Sequence, residues 1–244
     1  MRMKDKSIDI QNTYATAMSL CSDTSIRERT IHTRIYNSFI NNNRNIVLKG
    51  RQVGLSTLAM MYIGLEALSK PNTSIIVIAS NKHQANNLGA IMKDYFNGLC
   101  STYKPKFKTS NTNMMVLSNG SAIRYLTRGE DASQSDILYV DEAAYIKLPS
   151  VDNFKKVILV SSIDSSVLSS KFVKLYKSGE YVVNTIKTSD VLSEYATNEI
   201  KVYYSPEEYD VECNCIIPSD NTSNNSLWSK FYGKLSDMFW CSKN

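Results

Sequence analysis

The stretch Lys49-Gly50-Arg51-Gln52-Val53-Gly54-Leu55-Ser56-Thr57 constrains this chain more than any other. It follows the strand-like run Ile46-Val47-Leu48. It precedes Leu58, Met61, Tyr62, Leu65 and Leu68, which recur at helical spacing until Lys70-Pro71, where proline cannot continue a helix. A glycine-bearing loop between a strand and a helix points consecutive backbone amides and a helix N-terminus at one place, and that arrangement binds phosphate. Ser56 is then the candidate for giving an oxygen to magnesium. The pattern departs twice from Gly-x-x-x-x-Gly-Lys-Ser/Thr: Lys49 stands where the first glycine belongs, and Leu55 where the lysine belongs. Leucine cannot neutralise phosphate charge, so the cation must come from Lys49 or Arg51 bending inward.

Around this loop the chain alternates buried-strand and helical signatures. A polar, helix-compatible stretch over residues 25–42 carries Ile31, Ile35, Phe39 and Ile40, and Ile75-Ile76-Val77-Ile78-Ala79 is a continuous apolar strand. A helix follows over about 83–100. Residues 114–117 and 121–126 flank Asn119-Gly120, which predicts a hairpin with a type I′ turn. Ile137 to Val140 and Val157 to Val160 repeat the buried-strand pattern. Val167, Phe172, Leu175 and Tyr176 are helix-spaced up to Gly179, and residues 181–186 and 209–217 are further strand candidates. Short apolar strands alternating with helices specify an α/β fold with a doubly wound, mostly parallel sheet flanked by helices. The division expected is an N-terminal segment over 1–24, an ATPase domain of P-loop type over 25–217, a polar linker over 218–226, and an amphipathic helix over 227–244. That helix presents Leu227, Phe231, Leu235 and Met238 on one stripe.

The second chemical element is Ile137-Leu138-Tyr139-Val140-Asp141-Glu142, about 85 residues after the loop. An acidic pair at the carboxyl end of a buried strand lies beside the phosphate loop in a doubly wound sheet. Asp141 is placed to hold the magnesium shell, and Glu142 to orient or deprotonate an attacking water.

Composition restricts the rest. The five cysteines are odd in number and scattered, which fits a reduced cytosolic chain better than a disulfide framework. Cys213 and Cys215 alternate with Val211 and Ile217, as on one buried face of a strand, and make a weak zinc signal. No apolar run approaches the ~20 residues that span a bilayer, and no export signal is visible, so no membrane association is expected. Net charge is +5, but residues 1–135 carry 17 Lys or Arg against 8 Asp or Glu, and the remainder 11 against 15. The basic half suits a polyanion. Lys104, Lys106 and Lys108 form a basic run in an expected loop.

The loop GRQVGLST, the hairpin SNGSAIRYL, the strand ILYVDEAAYI and the serine-bearing strand ILVSSIDSS occur in an order that resembles the large terminase subunit of tailed bacteriophages, over roughly residues 28–216. The resemblance implies the ATPase part of a DNA-packaging motor with a terminase or RecA-like fold. By it, the loop residues Lys49, Gly50, Arg51, Gln52, Val53, Gly54, Leu55, Ser56 and Thr57 bind ATP. Asp141 and Ser56 hold Mg2+, Glu142 is catalytic with Arg51, and Ser161 and Ser162 form the coupling motif that senses the γ-phosphate. Some members place the loop lysine early, where Lys49 stands. An arginine completing a neighbouring subunit's site is expected shortly before the Asp-Glu strand; Arg128 is the candidate, with Arg124 in reserve. Where many members carry an adenine-reading glutamine, this chain has His32. The implied partners are double-stranded DNA, further copies of the chain in a ring, the portal and the small terminase subunit, in the host cell cytoplasm. The family's nuclease domain has no counterpart in this sequence, so a separately encoded nuclease is a further candidate partner and the terminal helix a candidate dock for it. A helicase-like or recombination ATPase and an inactive nucleotide-binding scaffold are the alternatives.

Overall fold

The computed structural model describes residues 16–17, 30–128, 130, 132 and 134–218. The N-terminal segment, nearly all of the linker and the terminal amphipathic helix lie outside the described residues. The elements run α1 (Thr30–Asn41), β1 (Arg44–Lys49), α2 (Leu55–Ser69), β2 (Ser74–Ala79), α3 (Lys82–Gly98), β3 (Phe107–Ser110), β4 (Met114–Leu117), β5 (Ala122–Thr127), β6 (Ser135–Asp141), β7 (Phe154–Ser161), α4 (Lys171–Ser178), β8 (Val182–Ile186), α5 (Glu194–Lys201) and α6 (Pro206–Glu212).

One eight-stranded sheet orders these strands β3-β4-β5-β2-β6-β7-β1-β8. The six strands from β5 to β8 are parallel, and β3 and β4 add an antiparallel edge. The apolar strand runs follow from this burial on both faces, with side chains alternating between them. Val47, Val77, Tyr139 and Val160 face one core, filled by α1, α2 and α3. Ile46, Leu48, Ile78, Val140 and Leu159 face the other, with Phe172, Val173 and Cys215. Helix α2 is buried almost all round and has little amphipathic contrast, because it is wedged between α1, α3 and the sheet. Among the described residues, no helix is long and apolar enough to cross a membrane.

Three expectations need correction. Residues 209–217 are not a strand. Ser205 caps α6, its hydroxyl accepting from the Glu208 amide while Glu208 reaches back, and Pro206 occupies the first turn. These helix-start signals outweigh the short alternation Val211, Cys213, Cys215, Ile217. Cys213 and Cys215 are nevertheless buried as free thiols. The β4–β5 hairpin forms, but only Gly120 has positive φ (+91°), with its N–H bonded to Leu117 O. Asn119 instead spends its side chain on Ala67 O and the Ser121 amide, so the turn is not type I′. Finally, Lys108 lies in edge strand β3 and Lys104 and Lys106 just before it, all exposed, where lysines also block edge-to-edge pairing.

Candidate active site

Parallel strands deliver their carboxyl ends to one rim, and on this rim β1 ends in Lys49, β6 in Asp141 and β7 in Ser161. Glu142, the first residue past β6, adopts a left-handed conformation (φ 51°, ψ 45°) that an L side chain takes only when its surroundings impose it. The twist turns its carboxylate toward β1 and β7. Lys49 Nζ meets Glu142 Oε1 at 2.6 Å, with side chains only 14% and 13% exposed. Ser162 Oγ donates to Glu142 Oε2 at 3.1 Å, and Ser161 Oγ lies 3.4 Å from the same oxygen. Ser161 in turn accepts from the Ala144 amide and donates to Ser162 O at 2.6 Å, which fixes β7 to the turn after β6. Both serines are fully buried. The structure therefore brings together the lysine, the glutamate and both coupling candidates.

Asp141 is 5% exposed. Burial pushes its carboxyl up to about 6, against the pull of Lys49 and with the push of Glu142. Tyr139 donates to Asp141 Oδ1 at 3.3 Å, and the Ser56 hydroxyl reaches the Tyr139 hydroxyl. Ser56, Tyr139 and Asp141 thus form a chain of oxygens. Among the described residues no group of three or more His, Cys, Asp or Glu surrounds a metal position. A single buried carboxylate beside a hydroxyl is nonetheless the hard-oxygen donor set magnesium takes when substrate phosphates and waters complete its shell, so the residues present fit that ion.

The loop leading into α2 carries two left-handed residues, Gln52 (φ 57°) and Gly54 (φ 71°), the latter at the N-terminal cap of α2. Leu55 is 1% exposed and packs in the core, so its side chain leaves the phosphate face altogether. A leucine there is a packing residue, which explains why that position does not require lysine. Val53 is buried, and Ser56 and Thr57 are half-buried at the helix start. His32, buried in α1, places Nε2 2.9 Å from Val53 O and holds the loop from beneath. It is occupied with the loop backbone, where the resemblance set an adenine reader.

Arg51 does not turn toward Glu142. Its Nε and Nη2 both donate to Glu212 Oε2 in α6, at 2.9 and 2.7 Å. The segment after β8 seats closely on the loop start: Thr188 N–H donates to Cys213 O, Thr188 Oγ1 donates to Arg51 O, and Gly50 N–H donates to Ile186 O at 2.7 Å. A Cβ at Gly50 would lie 2.6 Å from Thr188 N and 2.7 Å from Cys213 O, so only glycine fits. Sequence reading found no role for Thr188 or Glu212; the capping box of α6 was the available signal.

Arg128 is exposed in the turn after β5 and lines one open cleft with Arg51, Glu142, Tyr145 and Asp164. Arg124 lies within β5, half-buried, in register with Ile76 of β2.

Residues 46–158 match the family model of the terminase large subunit, T4likevirus-type, N-terminal part. No curated protein sequence matches the chain. Among solved structures, a variant of the large terminase ATPase domain of Thermus phage P74-26 superposes with a TM-score of 0.69 at 14% identity, covering 86% of this chain and 100% of that one. The HK97 bacteriophage large terminase gives 0.57 at 10% identity, covering 84% of this chain and 48% of that one. A large terminase from a thermophilic bacteriophage in complex with ATP-γ-S gives 0.54 at 10% identity, covering 71% and 47%. The chain thus spans about half the length of these longer terminases. Over residues 46–158 the chain is thus similar to the N-terminal part of terminase large subunits, and it shares its fold with solved large terminase ATPase domains.

Proposed function

We propose that this chain is a magnesium-dependent ATPase that drives double-stranded DNA into a viral capsid. The observation that carries the reading is the contact set joining Lys49, Glu142 and Ser162 at the carboxyl ends of β1, β6 and β7. Lys49 is the loop cation that faces Glu142, and on nucleotide entry its ammonium exchanges Glu142 for phosphate oxygens. That exchange frees the Glu142 carboxylate to align and deprotonate water. The loop amides and the N-terminus of α2 supply further positive potential. Asp141 and Ser56 would hold Mg2+, which neutralises charge on the β and γ phosphates. Loss of the γ-phosphate is sensed through the hydroxyls of Ser161 and Ser162 and passed into β7. Arg51 stays with Glu212 and shapes the loop, while Arg128, exposed on the cleft, is placed to complete a neighbouring site in a ring of copies.

DNA contact in such a motor is to the phosphate backbone, since any genome sequence must pass. Double-stranded DNA, a portal and a small terminase subunit are the partners this reading assigns, in the host cytoplasm. The test is ATP hydrolysis by the full chain with Mg2+, with and without long duplex DNA. Glu142→Gln and Lys49→Ala should each abolish turnover, and duplex should stimulate it more than single strands. Undiminished turnover in Glu142→Gln refutes the site assignment, and stimulation by single strands alone favours a helicase-like ATPase.

A further inference from the structure

A second open cleft adjoins the phosphate loop on the side away from Glu142. Lys49, Arg51 and Gln52 form one wall, and Ile200 at the end of α5, with Tyr203 and Tyr204 from the turn between α5 and α6, forms the other. Tyr203 is 82% exposed, so its ring is open to a ligand from solvent. Its neighbour Tyr204 is held in place, its ring centroid 6.5 Å from that of Tyr209 in edge-on contact. Lys201 also lies over the Tyr209 ring, with Nζ 5.6 Å from its centroid. The wall is therefore built on a braced turn, and α6 is tied to the loop through Glu212 and Arg51.

We propose that this cleft receives the nucleobase of the bound nucleotide, with the Tyr203 ring as its stacking platform. The inference rests on the nucleotide-site reading above. A triphosphate whose terminal phosphoryl faces Glu142 and Ser162, on the β6 and β7 side of Lys49, must carry its nucleoside across residues 49–52. That path ends on the β8 side, where the segment following β8 places Ile200 and Tyr203. His32 does not compete for the base, because it is buried under the loop with Val53 O. Stacking on a tyrosine face does not distinguish one base from another, and the Gln52 side-chain amide offers both a donor and an acceptor to any base edge. The cleft therefore selects for a base as such and discriminates weakly among bases.

The test compares Mg2+-dependent binding of ATP, GTP and inorganic tripolyphosphate to the full chain by calorimetry. The wild type should bind ATP more tightly than tripolyphosphate, with GTP within about fivefold of ATP. Tyr203→Ala should weaken ATP roughly tenfold, leave tripolyphosphate unchanged, and be rescued by Tyr203→Phe. Equal loss of both ligands, or unchanged ATP affinity in Tyr203→Ala, overturns the base platform while the phosphate site stands. ATP preferred over GTP by far more than tenfold overturns the weak discrimination. If the wild type binds neither ATP nor tripolyphosphate, the nucleotide-site reading falls and this inference with it.

Discussion

Gly50→Ala is the substitution for which the structure yields the most definite number. The φ of Gly50 lies outside the left-handed region, so alanine meets no backbone strain, and the whole cost is contact. The new methyl would sit 2.6 Å from both the backbone N and the Oγ1 of Thr188, and 2.7 Å from Cys213 O. Two of these are backbone atoms and cannot rotate away. Overpacking of this kind costs about 1–3 kcal/mol. Separating the strands of contact also strains the bonds Thr188 N–H to Cys213 O, at 3.0 Å, and Thr188 Oγ1 to Arg51 O, at 3.0 Å, each worth about 1 kcal/mol net. The expected total is about 3 kcal/mol, which lowers Tm by about 6–12 °C in a domain of this size. Gly54→Ala provides the contrast. Its φ of +71° imposes left-handed strain, but the nearest atom, His32 Cε1, is an ordinary 3.8 Å away. Its cost is then about 1–2 kcal/mol. Thermal unfolding followed by circular dichroism should rank Gly50→Ala well below Gly54→Ala. A Gly50→Ala melting within about 2 °C of wild type would refute the close seating of residues 188 and 213 on the loop.

Four further outcomes are expected. Asp141→Asn should abolish magnesium-dependent hydrolysis yet raise stability in chemical denaturation by about 1–2 kcal/mol, because it removes a buried carboxylate whose ionisation burial opposes; a less stable variant contradicts that account. Asp136 joins three strands, accepting from Ser74 N–H and from Lys155, and Lys155 foremost holds its carboxyl below the ordinary range. A depressed carboxyl stabilises above its unfolded value and loses that contribution as pH falls through the folded one, so Asp136→Asn should cost about 1 kcal/mol or less at pH 7 and nothing in strong acid, by urea unfolding at both. Arg51→Ala and Glu212→Ala should each weaken the fold, and a double-mutant cycle should return a coupling of about 1 kcal/mol or less, since Arg51 is 39% exposed. Arg128→Ala and Glu142→Gln should each be inactive alone and regain hydrolysis when mixed, since each supplies what the other lacks; a mixture as inactive as its components places the arginine's action within one subunit or elsewhere.

The parallel core was legible because burial on both faces leaves continuous apolar runs, as in Ile75 to Ala79 and Ile137 to Val140, which no other context explains as well. The meeting of Asp141-Glu142 with the loop on one rim was legible because each sits at a strand end, where topology alone makes them neighbours. What the sequence concealed depends on contacts across long separations. Nothing local marks Glu212 as the partner of Arg51, 161 residues away, or Thr188 as the reason position 50 excludes a side chain. The alternation ending in Cys215 was misleading because a buried face can also arise where a short helix ends and the chain turns back under the sheet, as Cys215 does with φ 59° beside Ile186 O. The displaced lysine joins the two levels. At position 55, the first residue of α2, the side chain is buried in the core, and leucine suits that place. At position 49, the last residue of β1, a side chain emerges on the rim that also bears Glu142, and lysine meets it at 2.6 Å. The phosphate loop needs a cation on its outer face and an apolar anchor at the start of its helix. The two residues that break the familiar spacing are the ones whose positions in this fold meet those two needs.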